Sequence, residues 1–333
     1  MRIYGNKTAL KGMETALEPR LSGVRHVHVD GEQAGRRVDN FLFGLLKDVP
    51  KSRVYRMLRT GEVRINGRRA KPETRLAVDD RVRIPPVHVE NTAPRAHGTG
   101  ATPLPVTVLH EDPGLLVIDK PAGMAVHGGS GIRLGAIELL RRQRPECAYL
   151  ELAHRLDRDT SGCLMIAKKP SILRLLHEQL RSGRIEKRYL ALVRGAWQGG
   201  ERTVRAPLLK NILAGGERRV SVSRDGKESV SHFAPIQVFP QATLVEVLLE
   251  TGRTHQIRVH AAHIGHPIAG DGKYGDVKFN RDMKLRGLRR LFLHAERLHL
   301  PAPRPDERSL EFHAPLPQEL NAVLNELKTG VQF

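Results

Sequence analysis

The chain has 333 residues, 40% of them hydrophobic and 4% aromatic, enough to bury one large core and a smaller one. Its 55 Lys and Arg against 36 Asp and Glu give a formal net charge of +19, an excess that favours a polyanion, nucleic acid first, as partner. No run approaches the ~18 to 20 apolar residues that span a bilayer, and two cysteines, Cys147 and Cys163, cannot form a disulfide framework and fit a reducing compartment.

The first stretch, "MRIYGNKTALKGMETALEPRLSGVRH", has no apolar signal core and carries Glu14 and Glu18, so a soluble, cytoplasmic protein without a membrane partner is expected. Residues 1–25 match no pattern, and Met13 is an alternative start.

Residues 26–85 read as a small, strongly basic α+β module. Val38, Phe41, Leu42, Leu45 and Leu46 recur at helical spacing until Pro50. A second helix follows in "KSRVYRMLRTG", with Ser52 expected to cap its start and Gly61 its end. Asn66-Gly67 in "EVRINGRRAK" then predicts a type I′ hairpin, because both residues tolerate positive φ. Residues 36–85 hold fourteen basic residues against six acidic, about +8. Arg53, Arg56 and Arg59 share a helical side beside Arg64, Arg68 and Arg69 on the hairpin, and phosphate binding is favoured over a merely solvated face. The segments "RVDNFL", "SRVYRMLRTGEVRING" and "VDDRVRI" resemble the S4 RNA-binding domain.

Residues 86–105, rich in Pro, Gly, Thr and Ala, predict a linker, so the large domain is expected over 106–333. There, "VTVLHED" and "LLVIDK" flank a Pro113-Gly114 turn, and "SILRLLHEQLRSG" has the period of an amphipathic helix. Strands are expected in "KRYLALVRG", in "RVSVSRDGKESVSHF" with its Asp225-Gly226 turn, and in "ATLVEVLLE". Irregular alternation with few helices predicts a mixed α+β domain with a largely antiparallel sheet.

The stretch "ELAHRLDRDTSGCLMIAKKP", residues 151–170, places Asp157 and Asp159 among arginines between two apolar runs. Exposed pairs of this kind are often no more than a solvated turn. His255, His260, His263 and His266 suggest a metal, but neither HExxH nor a completing Cys or carboxylate set accompanies them, and a partly buried helix with polar histidines is the better reading. "HRLDRD" mimics a kinase loop only superficially, since Leu156 interrupts HRD and no DFG follows. There remains a carboxylate acting as nucleophile or base, without metal or cofactor, in a nucleic-acid-binding protein; reworking an N-glycosidic bond needs such a group, because positive charge develops on the sugar.

"LVIDKPAGMAVHGG" at 116–129, "HRLDRDTSG" at 154–162, "KRYLALVRG" at 187–195 and "TGRTHQIRVHAAHIGHPIAGDGKYG" at 251–275 resemble, in order, the motifs of the RluA-type pseudouridine synthase family. With the S4-like module in front, the resemblance covers about residues 26–328. It implies the pseudouridine synthase fold and conversion of uridine to pseudouridine in structured large-subunit (23S) ribosomal RNA, by a monomer with no cofactor, no metal and no obligatory protein partner. It makes Asp157 catalytic and leaves Asp159 to fix the turn. It pairs Arg253 with Asp157, a cation that a carboxylate in a dry pocket requires. It stacks Tyr189 on the target base with a further role at the C5 proton, puts Arg155 into the space the base vacates, and sets Ile257 beneath the ring. Other rRNA sites or tRNA, and a non-catalytic assembly factor on the same scaffold, are the alternative readings.

Overall fold

The computed structural model describes residues 23–46, 49–87, 106–128, 134–212, 218–302 and 308–329; most of the N-terminal extension and of the expected linker therefore lies outside the described residues. The chain divides into two compact units, residues 1–101 and 102–333.

In the first unit β1 (Arg25–His28), α1 (Val38–Leu45), α2 (Lys51–Thr60), β2 (Arg64–Ile65), β3 (Arg68–Arg69) and β4 (Arg81–Ile84) follow in order. The strands form an antiparallel sheet in the order β1-β4-β2-β3. Val38, Phe41 and Leu42 of α1 pack with Val54, Met57 and Leu58 of α2 and with Val82 and Ile84 of the sheet, as the helical period predicts. Gly61 ends α2 in the left-handed region at φ 75°, and Asn66 (φ 49°) and Gly67 (φ 79°) make the tight turn between β2 and β3. Ser52 does not cap α2. The cap position is Pro50, whose carbonyl accepts from the amides of Arg53 and Val54, so the helix starts one residue before Ser52 and leaves its hydroxyl inside the first turn.

The second unit runs β5 (Thr107–Glu111), β6 (Leu115–Lys120), α3 (Ala136–Gln143), β7 (Glu151–Leu152), β8 (Ser161–Ala167), α4 (Pro170–Arg181), β9 (Glu186–Arg194) and β10 (Arg202–Arg205). It continues with β11 (Leu208–Ile212), β12 (Arg218–Val222), β13 (Val230–Val238), β14 (Ala242–Leu249), α5 (Gln256–His263), α6 (Val277–Leu285), β15 (Leu293–Leu300), β16 (Leu310–His313) and α7 (Gln318–Thr329). A ten-stranded sheet has the order β10-β13-β14-β9-β15-β8-β6-β5, with β16 on β15 and β7 on β8. Among the described residues only β8 and β15 pair in parallel, which is the largely antiparallel, mixed α+β architecture expected.

Both faces of the central strands are covered. Leu164 and Ile166 of β8 meet Ile137 and Leu140 of α3, while Cys163 and Met165 meet Leu176 of α4 and Phe312 of β16. All seven residues of β8 are accordingly buried, and a strand covered on both sides reads as a continuous apolar run. The Pro113-Gly114 turn is held by Asp112 Oδ1, which accepts from the amides of Gly114 at 2.6 Å and Leu115 at 2.7 Å. The strands around Asp225-Gly226 part company: β12 pairs with β11, and β13 with β10 and β14.

The parallel junction carries a buried polar chain. Arg290 Nη1 donates to Ser161 Oγ at 3.1 Å, Ser161 Oγ donates to His294 Nδ1 at 2.8 Å, and His294 Nε2 donates to the Ala314 carbonyl at 3.0 Å. The imidazole in this arrangement is neutral, and burial, which favours that form, pushes the His294 pKa down to about 4. Between an ordinary value near 6.5 and that lowered value the unfolded chain binds a proton that the folded chain refuses, so stability falls as pH drops across this window and levels off below it. His294→Gln, which keeps an amide donor for Ala314, is expected to flatten the fall of melting temperature between pH 6.5 and 4 relative to the wild type, measured by thermal unfolding across that range.

Candidate active site

The Asp157 loop enters β8, and its neighbours set its shape. His154 Nε2 accepts from the Met165 amide at 3.1 Å, and the Thr160 amide donates to the Asp157 carbonyl at 3.2 Å. Lys120, fully buried at the end of β6, donates to the carbonyls of Pro121 (2.8 Å), Met124 (2.9 Å) and Arg158 (3.1 Å). It thereby ties the loop to the 121–124 turn, and burial lowers its pKa to about 8. Arg158 and Asp159 form the exposed local pair that a solvated turn would show, at 3.2 Å. Asp157 does not belong to that pair.

The facing wall is residues 251–258. Gln256, the first residue of α5, is buried, and each end of its amide is used twice. Its Oε1 accepts from Thr251 Oγ1 at 2.8 Å and the Arg253 amide at 3.0 Å, while its Nε2 donates to the Val230 carbonyl and Ser231 Oγ, both at 2.9 Å. This clamp holds the 251–255 turn against β13. Six of the eight α5 residues are buried, Arg258 among them. His260 is no metal ligand here, since one ring nitrogen bonds Ser231 Oγ at 2.9 Å and the other the Ala206 carbonyl at 3.0 Å.

Arg258 is the cation of the site. Its Nε and Nη2 donate to the two oxygens of Asp271 at 2.7 and 2.8 Å, and its Nη1 reaches Asp157 Oδ2 at 3.3 Å. Burial opposes the charge on Asp271, yet the Arg258 bonds outweigh it and hold the carboxyl below its ordinary range; Arg258 itself, despite burial, is held more firmly protonated by both carboxylates. The Asp271 side chain is 1% exposed, and its Oδ1 also accepts from the amides of Lys273 and Tyr274.

Arg253 does not make the expected pair. It lines the same pocket, but its Nε donates to the Glu228 carbonyl at 3.2 Å. The physical reason is the helix start: Arg253 lies in the turn before α5, whereas Arg258 lies on the helix itself and can span Asp157 and Asp271.

The pocket gathers Asp157, Tyr189, Arg155 and Ile257 as expected, with Leu156, Leu249 and Leu293 supplying apolar surface. Tyr189 on β9, Leu293 on β15, Leu249 at the end of β14 and Thr160 just before β8 come from four neighbouring strands of the sheet. Burial, and then the Asp157 charge, push the Tyr189 phenol far above its ordinary range, so it stays neutral. Arg155 is exposed at the mouth, and Ile257 is buried. A wider groove lined by Glu186, Arg188, Arg297, His299 and Glu311 offers no comparable set; Arg188 is spent on Glu186 and Glu246, and Arg297 on Glu296 and Glu311.

Sequence reasoning missed Arg258, Asp271, His255 and Tyr274 as members of the site. One signal was available for the first, because an arginine within the buried run "QIRVHAAHI" demands a buried acid. In the small unit Arg56, Arg59, Arg64, Arg68 and Arg69 are exposed. Arg53 is instead engaged by both oxygens of Glu62, at 3.3 and 2.9 Å.

The model of the family described as RNA pseudouridylate synthase matches residues 114–263, and that of the S4 domain matches residues 36–82. The chain is 50% identical over 308 residues to ribosomal large subunit pseudouridine synthase C of Pasteurella multocida (strain Pm70), covering 92% of this chain and 94% of that protein. It is 51% identical over 312 residues to the protein of the same name from Escherichia coli (strain K12), covering 92% and 98%. Among solved structures, human RNA pseudouridylate synthase domain containing 4 aligns with a TM-score of 0.54 at 27% identity, over 67% of this chain and 93% of that chain.

Because Arg258 holds both oxygens of the buried Asp271, Arg258→Met is expected to cost about 3–5 kcal/mol of folding stability by stranding a buried charge. Arg253→Met, at a half-exposed turn, is expected to stay within about 0.5 kcal/mol. Urea denaturation of the two variants checks the contrast, and equal losses would undo the assignment of the buried cation.

Proposed function

The chain belongs to the RNA pseudouridylate synthase family and is an RNA pseudouridine synthase carrying an S4 domain; we propose that it isomerises uridines of large-subunit ribosomal RNA, with Asp157 as the group that acts on the nucleotide. The observation that carries the assignment to Asp157 is its placement. It is a carboxylate in a pocket that combines apolar side chains with several arginines, held by an arginine that is itself locked to a second, buried carboxylate.

In the reaction the N1 to C1′ bond breaks, the uracil turns in place, C5 bonds to C1′ and loses its proton, and N1 gains one, so that the product is an isomer of the substrate. Positive character develops on the ribose as the first bond breaks, and a fixed carboxylate meets it by electrostatics or by covalent attack. Arg258 keeps that carboxylate oriented in surroundings where a free anion would otherwise be costly. Tyr189, neutral and buried, offers its ring face to the base; a phenol held so firmly protonated serves poorly as an ionised base. Ile257 supplies apolar contact. Arg155 and Arg253, at the pocket, are suited to the polyanion and to the space left when the uridine leaves its stack, a step costing roughly a few kcal/mol.

The exposed arginines of the S4 unit supply affinity that is independent of the chemistry. Among the described residues no helix is long and apolar enough to cross a membrane. With Cys147 and Cys163 both free, the reading includes action in the reducing cytoplasm by a monomer needing no cofactor.

Asp157→Asn is expected to abolish pseudouridine formation, by roughly 10³-fold or more, with RNA affinity unchanged, whereas Asp159→Asn, at an exposed local pair, loses less than about fivefold. Single-turnover release of tritium from a [5-³H]uridine-labelled rRNA transcript measures both, and a reversed order would move the assignment to Asp159. Arg59→Gln and Arg68→Gln are each expected to lower the slope of log K against log salt by about 0.7–0.9. Filter binding at several salt concentrations gives that slope, and an unchanged slope would leave those arginines as solvated surface only.

A further inference from the structure

Asp157 has two cationic or potentially cationic neighbours, and both face the same oxygen. Arg258 Nη1 lies 3.3 Å from Oδ2, and His255 Nε2 lies 3.8 Å from Oδ2. Among the described residues both contacts fall on Oδ2, and Oδ1 faces no protein donor.

His255 is held unusually. It occupies the cap position of α5 in the left-handed region, φ 55° and ψ 20°; its carbonyl accepts from the Val259 amide at 3.0 Å, but its side chain makes no capping hydrogen bond. Caps are ordinarily extended and carry Ser, Thr, Asp or Asn, and a non-glycine residue at positive φ is uncommon and gathers at functional sites. Here the side chain caps nothing; the strained backbone places the imidazole between Asp157 and Tyr274.

The proton on that imidazole can be assigned from its partners. The Val220 amide donates to Tyr274 Oη at 3.0 Å, so the phenol's single hydrogen is free for His255 Nδ1 at 2.8 Å. Burial pushes the Tyr274 phenol up, which keeps it a donor, and burial pushes His255 down, which favours the neutral ring. With Nδ1 accepting, the hydrogen of the neutral ring sits on Nε2, the nitrogen nearest Asp157. Other charged groups acting on the ring are Arg258 on its own helix and Asp271 and Lys273 on the turn that carries Tyr274. Tyr274 is fixed in turn by its edge-on contact with the imidazole, at 5.5 Å between ring centres, and by the Arg258 guanidinium, 5.2 Å from its ring centre.

We propose that His255, oriented by Tyr274, is a positioning residue that directs its Nε2 hydrogen at Asp157 Oδ2, so that Arg258 and His255 grip one carboxylate oxygen and leave Oδ1 as the oxygen that meets the nucleotide. The 3.8 Å separation closes to hydrogen-bonding distance as the substrate seats. This rests on Asp157 being the reacting carboxylate, and it adds which oxygen reacts and what aims it.

The test crosses two substitutions whose backbone and side-chain merits are opposed. Asparagine tolerates the left-handed backbone well but is too short to reach Asp157. Glutamine fits that backbone poorly, yet its amide places a donor near the reach of Nε2. In the full-length protein, acting on a [5-³H]uridine-labelled rRNA transcript, His255→Asn is expected to lower kcat about 100-fold, the cost of a misplaced reacting group. His255→Gln is expected to stay within about tenfold of wild type, and Tyr274→Phe to lose about tenfold, all with KM within about twofold. If His255→Asn outperforms His255→Gln, the residue serves the backbone only, and the proposal fails. It also fails if the losses fall on KM rather than kcat, because His255 would then be a substrate contact. Asp157→Asn, assayed alongside, separates the two levels: an inactive Asp157→Asn beside a fully active His255→Asn removes the His255 role alone, whereas an active Asp157→Asn removes the assignment of Asp157 itself.

Discussion

Arg258 uses three of its nitrogens to bridge two carboxylates, and the geometry of the site depends on that bridge. A guanidinium whose side chain is 10% exposed cannot be left unpaired, and a lone carboxylate buried as deeply as Asp271 would be equally costly. Each therefore fixes the other. The planar fork matters: two parallel bonds to Asp271 set the plane of the guanidinium, and that plane decides where Nη1 points. Asp271 is in turn fixed by the Lys273 and Tyr274 amides. The orientation of Asp157 is thus determined by a helix and a turn more than a hundred residues further along the chain, while its own loop supplies only the approach.

The sheet brings these distant parts together. Asp157 precedes β8, and β8 meets β15 in the one parallel pairing among the described residues, with β9 and β14 beyond. The Ser161–His294 contact and the close approach of Gly162 (φ 110°) to the backbone of Ala295 pin that junction. A side chain at Gly162 would strike Ala295, so β8 cannot slip along β15 without collision. Because the pocket takes residues from four neighbouring strands, any shift of register would separate Tyr189 from Asp157. Gln256 does the corresponding work on the facing wall, tying the 251–255 turn to β13 with four hydrogen bonds.

The parts of the fold legible in the sequence are those decided by local chemistry. Asn66-Gly67 turns a hairpin because both residues accept positive φ, and α1 buries the stripe its period marks. Ser52 misled because Pro50 already opens the helix, so a good capping residue stood two positions too late. The choice between Arg253 and Arg258 turns on the same question of where a helix begins. Both lie in "TGRTHQIRVH", but the side chain of Gln256 holds 251–255 out of the helix, and that side chain finds its partners on β13. No pattern within ten residues contains that information. Asp271 and Tyr274 were obscure for a similar reason: a carboxylate in "GDGKYG" reads as a turn residue until an arginine from a buried helix is seen to need it.

Arginine stands in two environments in this chain. Arg59 and Arg68 are exposed, where salt screens each contact within about 10 Å at 0.1 M and any one contributes little. Contacts of such exposed cations with a polyanion are individually weak and are tuned by ionic conditions. Arg258 is one charge among the same 55, but burial shields it from salt, and its partners allow it a single orientation. Many weak exposed cations suit a long, variable polyanion, whereas one buried cation suits a carboxylate held in one orientation. Both uses of arginine occur in one sequence, and what separates them is the burial of a partner acid, which composition and net charge do not reveal.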